Sequence, residues 1–251
     1  MARQKGIIKI IGTLGGANFY IDKEAGALAR TAGGGFDGDT IRTSPRMVRV
    51  RENSSEFGNC SRVKKQFRLA LLPFFQGIRS RAFHSDLVSL FMQIKALDQV
   101  SERGQRQVYH GMQTAKGRQL MKRHSFVPEK DLVSGFCRQA NFNWTTQQLD
   151  VSDFNPDLYK VPKTATHIGV TLGVLDFDFE TLEHSLSLSS IHFVALGAGG
   201  SSFSLTPEQV LVPAHVGFVV LGLRYYELIE NEVYAFKKPL GVQILDVLNT
   251  N

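Results

Sequence analysis

The 251-residue chain is poor in cysteine, proline and tryptophan, with two, eight and one of them. Nowhere does it carry the run of about 18 apolar residues that a membrane-spanning helix needs. That lack excludes a helical membrane span at the sequence level. After Met1-Ala2-Arg3-Gln4-Lys5-Gly6 the apolar stretch ends at Ile11 and is interrupted by Lys9. No secretory leader is therefore expected. Cys60 and Cys137 lie in different halves and could join only if their Cα atoms came within about 7 Å. Two reduced, buried thiols of a cytoplasmic protein are the expectation.

Sites of known chemistry are equally sparse. His84, His110, His124, His167, His184, His192 and His215 are scattered, without the His-Glu-x-x-His or paired-cysteine spacing that holds a metal. Gly-x-Ser-x-Gly is missing, and Gly199-Gly200-Ser201-Ser202 reads as a turn rather than a nucleophile elbow. Gly33-Gly34-Gly35 lacks the Lys-Ser/Thr of a phosphate loop and reads as a flexible turn. Asp176 and Asp178 could share one strand face for glycosidase or calcium chemistry, but a wet strand face is the simpler account. Glu227, Glu230 and Glu232 around a hairpin tip, and His184 with His192, receive the same account. No catalytic residue, cofactor or metal is expected, and the chain is not expected to be an enzyme.

What the sequence does have is an uneven charge distribution. Residues 1–125 hold 22 Lys+Arg against 9 Asp+Glu, a balance of +13, while residues 126–251 hold 7 against 14, a balance of −7. The basic half can face phosphate, an acidic partner, or the acidic half of another copy. Alternatively the two halves neutralise one another inside one monomer.

Periodicity also changes between the halves. Ile7–Ile11 and Ala17–Ile21 read as a hairpin across Gly12 to Gly16, with a third strand near Ala27–Thr31. Ser44-Pro45 predicts a helix start. Beyond it Phe57, Cys60, Lys64, Phe67, Leu71 and Phe74 recur at helical spacing as a buried face. Arg42, Arg46, Arg49, Arg51, Arg62, Lys65 and Arg68 line the same region with positive charge. Arg49, Glu52, Asn53 and Glu56 are spaced for an ion-pair network within that helix.

A second helix, capped by Ser85, is predicted from Leu87, Leu90, Phe91, Ile94 and Leu97, and a third after Ser101, interrupted at Thr114 or Gly117. From Phe126 the period becomes two, with alternating runs at 136–144, 167–174, 182–195, 203–212, 216–229, 233–237 and 241–248. Turn signals at Asn155-Pro156, Gly197–Gly200 and Glu230-Asn231 separate them. These runs predict an antiparallel β-sandwich. The fold class expected is α+β: a basic hairpin-plus-helices domain at 1–125 and an acidic β-sandwich domain at 126–251.

Gly12-Thr13-Leu14-Gly15 with Phe19-Tyr20, Arg30, the stretch Arg49-Val50-Arg51-Glu52-Asn53-Ser54-Ser55-Glu56-Phe57-Gly58, and Ser101-Glu102-Arg103-Gly104 together resemble a family of uncharacterised Bacteroidota proteins of similar length. The likeness is clearest over residues 6–72 and weaker after 100. The layout, a glycine-punctuated hairpin feeding an arginine-rich helix, is also similar to phage or virion-associated structural proteins. That resemblance implies a component of a particle, tube or filament, cytoplasmic or released with the particle.

The expectation is a self-associating structural protein, a homo-oligomer joined through complementary charge. Its contact residues are Arg42, Arg46, Arg49, Arg51, Glu52, Asn53, Glu56, Arg62, Lys65 and Arg68. The alternative expectation is a binder of nucleic acid or of an acidic protein through the same 42–68 face.

Overall fold

The computed structural model describes residues 2–32, 37–78, 80–127, 136, 138–156, 161–230 and 232–250. Cys137 and the Gly33–Gly35 triplet lie outside them. Residues 1–51 form one compact unit and residues 52–251 a second. The compact units therefore do not divide at 125/126, where charge and periodicity change.

The first unit contains a four-stranded antiparallel sheet in the order β1-β4-β3-β2. Its strands are β1 (Ala2–Arg3), β2 (Gly12–Leu14), β3 (Ala17–Asp22) and β4 (Gly26–Thr31). Gly15 and Gly16 both adopt positive φ, 56° and 76°, and close the β2–β3 hairpin with Leu14 opposite Ala17. That two-residue turn requires left-handed backbone at both central positions, which glycine supplies without strain. The predicted strand at Ile7–Ile11 does not form. Those residues are irregular, and the Gln4 side chain bonds both the N–H and the C=O of Ile10. A short helix α1 (Gly38–Thr43), not foreseen from the sequence, is capped by Asp37, whose carboxylate accepts from the Thr40 N–H.

Pro45 begins a 3₁₀ turn, Pro45–Met47, that runs into α2 (Val48–Ala70). The start at Ser44-Pro45 is as expected, although the Ser44 side chain makes no capping bond. From Glu52 onward α2 belongs to the second unit. There it is followed by α3 (Leu72–Phe75), α4 (Arg81–Lys95), α5 (Val108–Gln113) and α6 (Ala115–Arg123). The second helix thus starts after Ser80, ahead of the predicted Ser85. Thr114 separates α5 from α6 and caps the latter by accepting from the Gly117 N–H. The buried face of α2 is Glu56, Cys60, Val63, Phe67 and Ala70, and Phe57, expected inside, is 53% exposed. Among the described residues no helix is long and apolar enough to cross a membrane.

The rest of this unit is β-rich, in two antiparallel sheets. The smaller orders β10 (Ser201–Leu205), β6 (Gln148–Phe154) and β5 (Ala140–Asn143). The larger runs β12 (Glu232–Ala235), β11 (Val216–Ile229), β7 (His167–Phe177), β8 (His184–Leu188). On this sheet β13 (Gly241–Asn249) pairs with β11, and β9 (His192–Ala195) with β7. Alternation along β11 and β7 sorts the side chains to two sides. Ile168, Val170, Leu172, Val219, Leu221 and Leu223 share a core with Leu149, Val151 and Phe154 of the small sheet. Leu175, Phe177, Val216, Phe218 and Val220 pack instead with the helices. Phe67 of α2 is the centre of that second core, 5.5–5.6 Å from the rings of Phe91, Phe177 and Phe218.

Two local features hold the layers together. In β13 the register skips Leu245, since Val219 faces Asp246 while Val220 faces Ile244. Ile244 lies with the helix-side core and Leu245 with the opposite one, and the extra residue returns Val247 to the side of Val242 and Ile244. Asp246 then accepts from Lys122 of α6 and from Trp144 beyond β5, both at 2.8 Å. On the helix side, Phe74 lies over Gly173 and Gly222. A Cβ at either glycine would come within 2.5–2.6 Å of the ring.

Replacing Gly222 by alanine therefore forces the Phe74 ring to move. Urea unfolding of Gly222→Ala should show a loss of about 1–3 kcal/mol. Adding Phe74→Leu should recover part of that loss, and a purely additive double mutant would show that the ring contact is not the cause.

Candidate functional site

The densest polar cluster lies inside the helical layer, where two apolar stripes each carry one charged residue. On α2 it is Glu56, one turn before Cys60. On α4 it is Lys95, one turn after Phe91. Both are buried, at 2% and 4% exposure. A lone charge in such a place costs several kcal/mol, so each must have partners.

The partners come from the 96–107 loop. Asp98 folds this loop: its carboxylate accepts from the backbone N–H groups of Val100, Ser101 and Gln107. Within the loop Gly104 adopts φ 92°, and a Cβ there would lie 2.9 Å from Glu52 Cγ. Only glycine allows this approach without strain. The loop backbone thereby reaches α2, and the Gly104 N–H donates to Glu56 Oε1 at 2.8 Å.

Glu56 is then saturated. Arg106 donates to both carboxylate oxygens, from Nε at 2.8 Å and Nη2 at 2.9 Å. Lys95 donates to Oε2, and Arg103 pairs with Glu52 at 3.0 Å. Three carboxylates, Glu52, Glu56 and Asp98, thus gather with three cations, Lys95, Arg103 and Arg106. The bidentate bond from Arg106 holds the Glu56 carboxyl at about 2 against the opposing effect of burial. Burial pushes Asp98 upward, but the backbone donors of Gln107, Ser101 and Val100 outweigh it and hold this carboxyl at about 2. Burial also raises the Cys60 thiol to about 11, so it is a packed, protonated side chain.

With its lone pairs occupied, Glu56 has no capacity left for a substrate. The cluster fixes α2, α4 and the loop to one another. It also joins the two stretches singled out in the sequence, Arg49–Gly58 and Ser101–Gly104. Glu56, expected in a network within its own helix, bonds Lys95 and Arg106, 39 and 50 residues away. Lys95, Asp98 and Arg106 were missed. Their signal was a lysine four residues after Phe91, on a stripe otherwise apolar.

The remaining expected contact residues separate into inner and outer groups. Arg51 donates to the carbonyls of Ile41 and Ser44 and so fastens the end of α1. Arg42 pairs with Asp39 on the same short helix. Arg46, Arg49, Asn53, Arg62 and Lys65 are exposed, Arg68 is half-buried, and Glu56 presents no surface at all.

The carboxylates considered for glycosidase or calcium chemistry are fasteners too. Asp176 is buried rather than wet, and accepts from the N–H groups of Ala214 and His215 and from His215 Nδ1. That bond raises the His215 pKa. Asp178 accepts from the Glu180 N–H and the Thr181 hydroxyl. A cavity of about 290 Å³ lies between Phe74, Leu188, Ile191 and Tyr226. Arg224 at its edge already donates to the carbonyls of Gln76, Phe236 and Lys237. Among the described residues no group of three His, Cys, Asp or Glu is placed to hold a metal. No family model, no curated protein and no solved structure matches the chain.

The lowered pKa values set an acid limit. A carboxyl whose folded pKa lies below its unfolded value stabilises the fold above the unfolded pKa, and that stability disappears as pH falls through the folded one. Glu56, ordinarily near 4.5 and here about 2, should cost about 3 kcal/mol of stability as pH falls from about 4.5 to about 2. Glu56→Gln should lose about 3–5 kcal/mol at pH 7, because Lys95 is left buried without its counter-charge. Its unfolding free energy should also decline less steeply in acid than that of the wild type. Equal slopes in urea titrations would refute the assignment.

Proposed function

We propose that this protein is a non-enzymatic structural component that self-associates, the basic surface of one copy meeting the acidic surface of the next. The supporting observation is how the helices and the large sheet are joined. Their junction is apolar, centred on Phe67, Phe91, Phe177 and Phe218, so it consumes little charge. The buried Glu56 cluster is internally balanced and does not draw on the surface either. Lys122 with Asp246 is an ion pair between α6 and β13 at the rim. Arg62 and Lys65 on α2 remain exposed, as do Glu230 and Glu232 on the β11–β12 hairpin, with Glu227 half-buried beside them.

Opposite charges left on distinct surfaces favour a heterologous contact. Such a contact repeats from copy to copy into a ring or an open filament. The likeness in layout to virion-associated structural proteins points the same way.

Sedimentation velocity should show association at about 50 mM salt that weakens as the Debye length shortens toward about 3 Å at 1 M. The double charge reversal Arg62→Glu/Lys65→Glu should reduce association and leave the melting temperature unchanged, since both side chains are solvated. A strict monomer at every salt concentration would overturn the reading. Salt-dependent retardation of DNA by that monomer would assign the basic face to nucleic acid instead.

A further inference from the structure

We propose that Ile7–Ile11 of one copy adds as a five-residue strand, Ile-Ile-Lys-Ile-Ile, to the free edge of β12 in a second copy. This rests on the self-association reading and names its contact.

The donor segment is a strand without a sheet. Four of its five residues are isoleucine, whose branched side chains favour extended, half-buried backbone. Yet it enters no ladder, and all five residues are exposed, Ile7 and Ile8 almost completely. In extended form Ile8 and Ile10 would point to one side and Ile7, Lys9 and Ile11 to the other. Its present conformation is held by side chains from within the segment and just before it: Gln4 on Ile10, and Lys9 Nζ on the carbonyls of Gln4 and Gly6. These exposed bonds exchange readily for water.

The acceptor has the complementary features. β12 pairs with β11 along Glu232–Ala235, and among the described residues its other edge meets no strand. All four of its residues are exposed, and Val233 and Tyr234 stand beside the exposed Leu228 and Ile229. An apolar, unprotected edge of this kind is a template for another strand. The charges select the occupant. Glu227, Glu230 and Glu232 surround the acceptor, whereas Arg3, Lys5 and Lys9 accompany the donor. A second copy brings exactly the basic, β-branched segment that an acidic, apolar edge accepts. Donor and acceptor on one chain also make the contact head-to-tail, so it propagates.

The test compares four full-length chains by sedimentation velocity at about 50 mM salt. Proline cannot donate to a ladder, so Ile8→Pro should weaken association about a hundredfold, while Ile8→Val should associate as the wild type does. Both should melt with the wild type, because Ile8 is exposed. Lys9→Glu and Glu232→Lys should each associate weakly alone and recover when mixed, since one interface then carries the swapped pair. If the wild type associates and Ile8→Pro does so equally, or if mixing restores nothing, the strand contact is overturned while charge-driven association stands. A wild type that remains monomeric at every concentration overturns both.

Discussion

The helical layer is organised around a carboxylate removed from water. Glu56 shares the buried stripe of α2 with Cys60, Val63 and Phe67, where only a complete set of donors makes a negative charge tolerable. Supplying that set constrains three separate parts of the chain at once. Lys95 must end α4 at the right height, Arg106 must return from the loop, and Gly104 must bring its own N–H within 2.8 Å. Gly104 can do so because it occupies left-handed backbone against Glu52. Asp98 in turn shapes the loop that carries both Gly104 and Arg106. A hydrophobic core tolerates sliding, whereas a saturated buried charge admits one arrangement.

That fixed helical layer covers one side of the large sheet, and the small sheet covers the other. Strands covered on both sides become apolar nearly throughout, which is why β7 and β11 are buried over most of their length. Charge is thereby displaced to rims, helix backs and hairpin tips. The junction between the helices of the second unit and the large sheet is aromatic and aliphatic, and charges such as Arg62, Lys65 and Glu230 lie outside it. The same division of labour separates the two kinds of arginine in this chain. Arg106 is structural and internal, whereas Arg62 is available to solvent.

Much of this was legible in the sequence where the pattern was local. The period-two runs located β7 to β13 because a strand sends successive side chains to opposite faces, even where both faces are covered, as in β7 and β11. The positive-φ residues Gln147 and Asp153 at either end of β6 concealed that strand, since its alternation spans only a few positions. Ile7–Ile11 has the composition of a strand but finds no partner, so propensity alone misplaced it. The α2 stripe was misread at one end because Phe57 is the more hydrophobic of two adjacent residues, yet Glu56 is the one that is buried. The Glu56 cluster could not be read from spacing, because helical neighbours are visible in a sequence and partners 39 or 50 residues away are not. The boundary expected near 125 followed charge and period, but cohesion follows contact, and Phe67 of α2 packs directly on Phe177 and Phe218.

The skipped Leu245 has a mechanical consequence. By reversing the parity of β13 it leaves Asp246 at the rim, gripped from one layer by Lys122 and from another by Trp144. One carboxylate thus ties α6 to the end of the small sheet by a route that passes outside the aromatic interior, so the layers are pinned at their margin as well as packed at their middle.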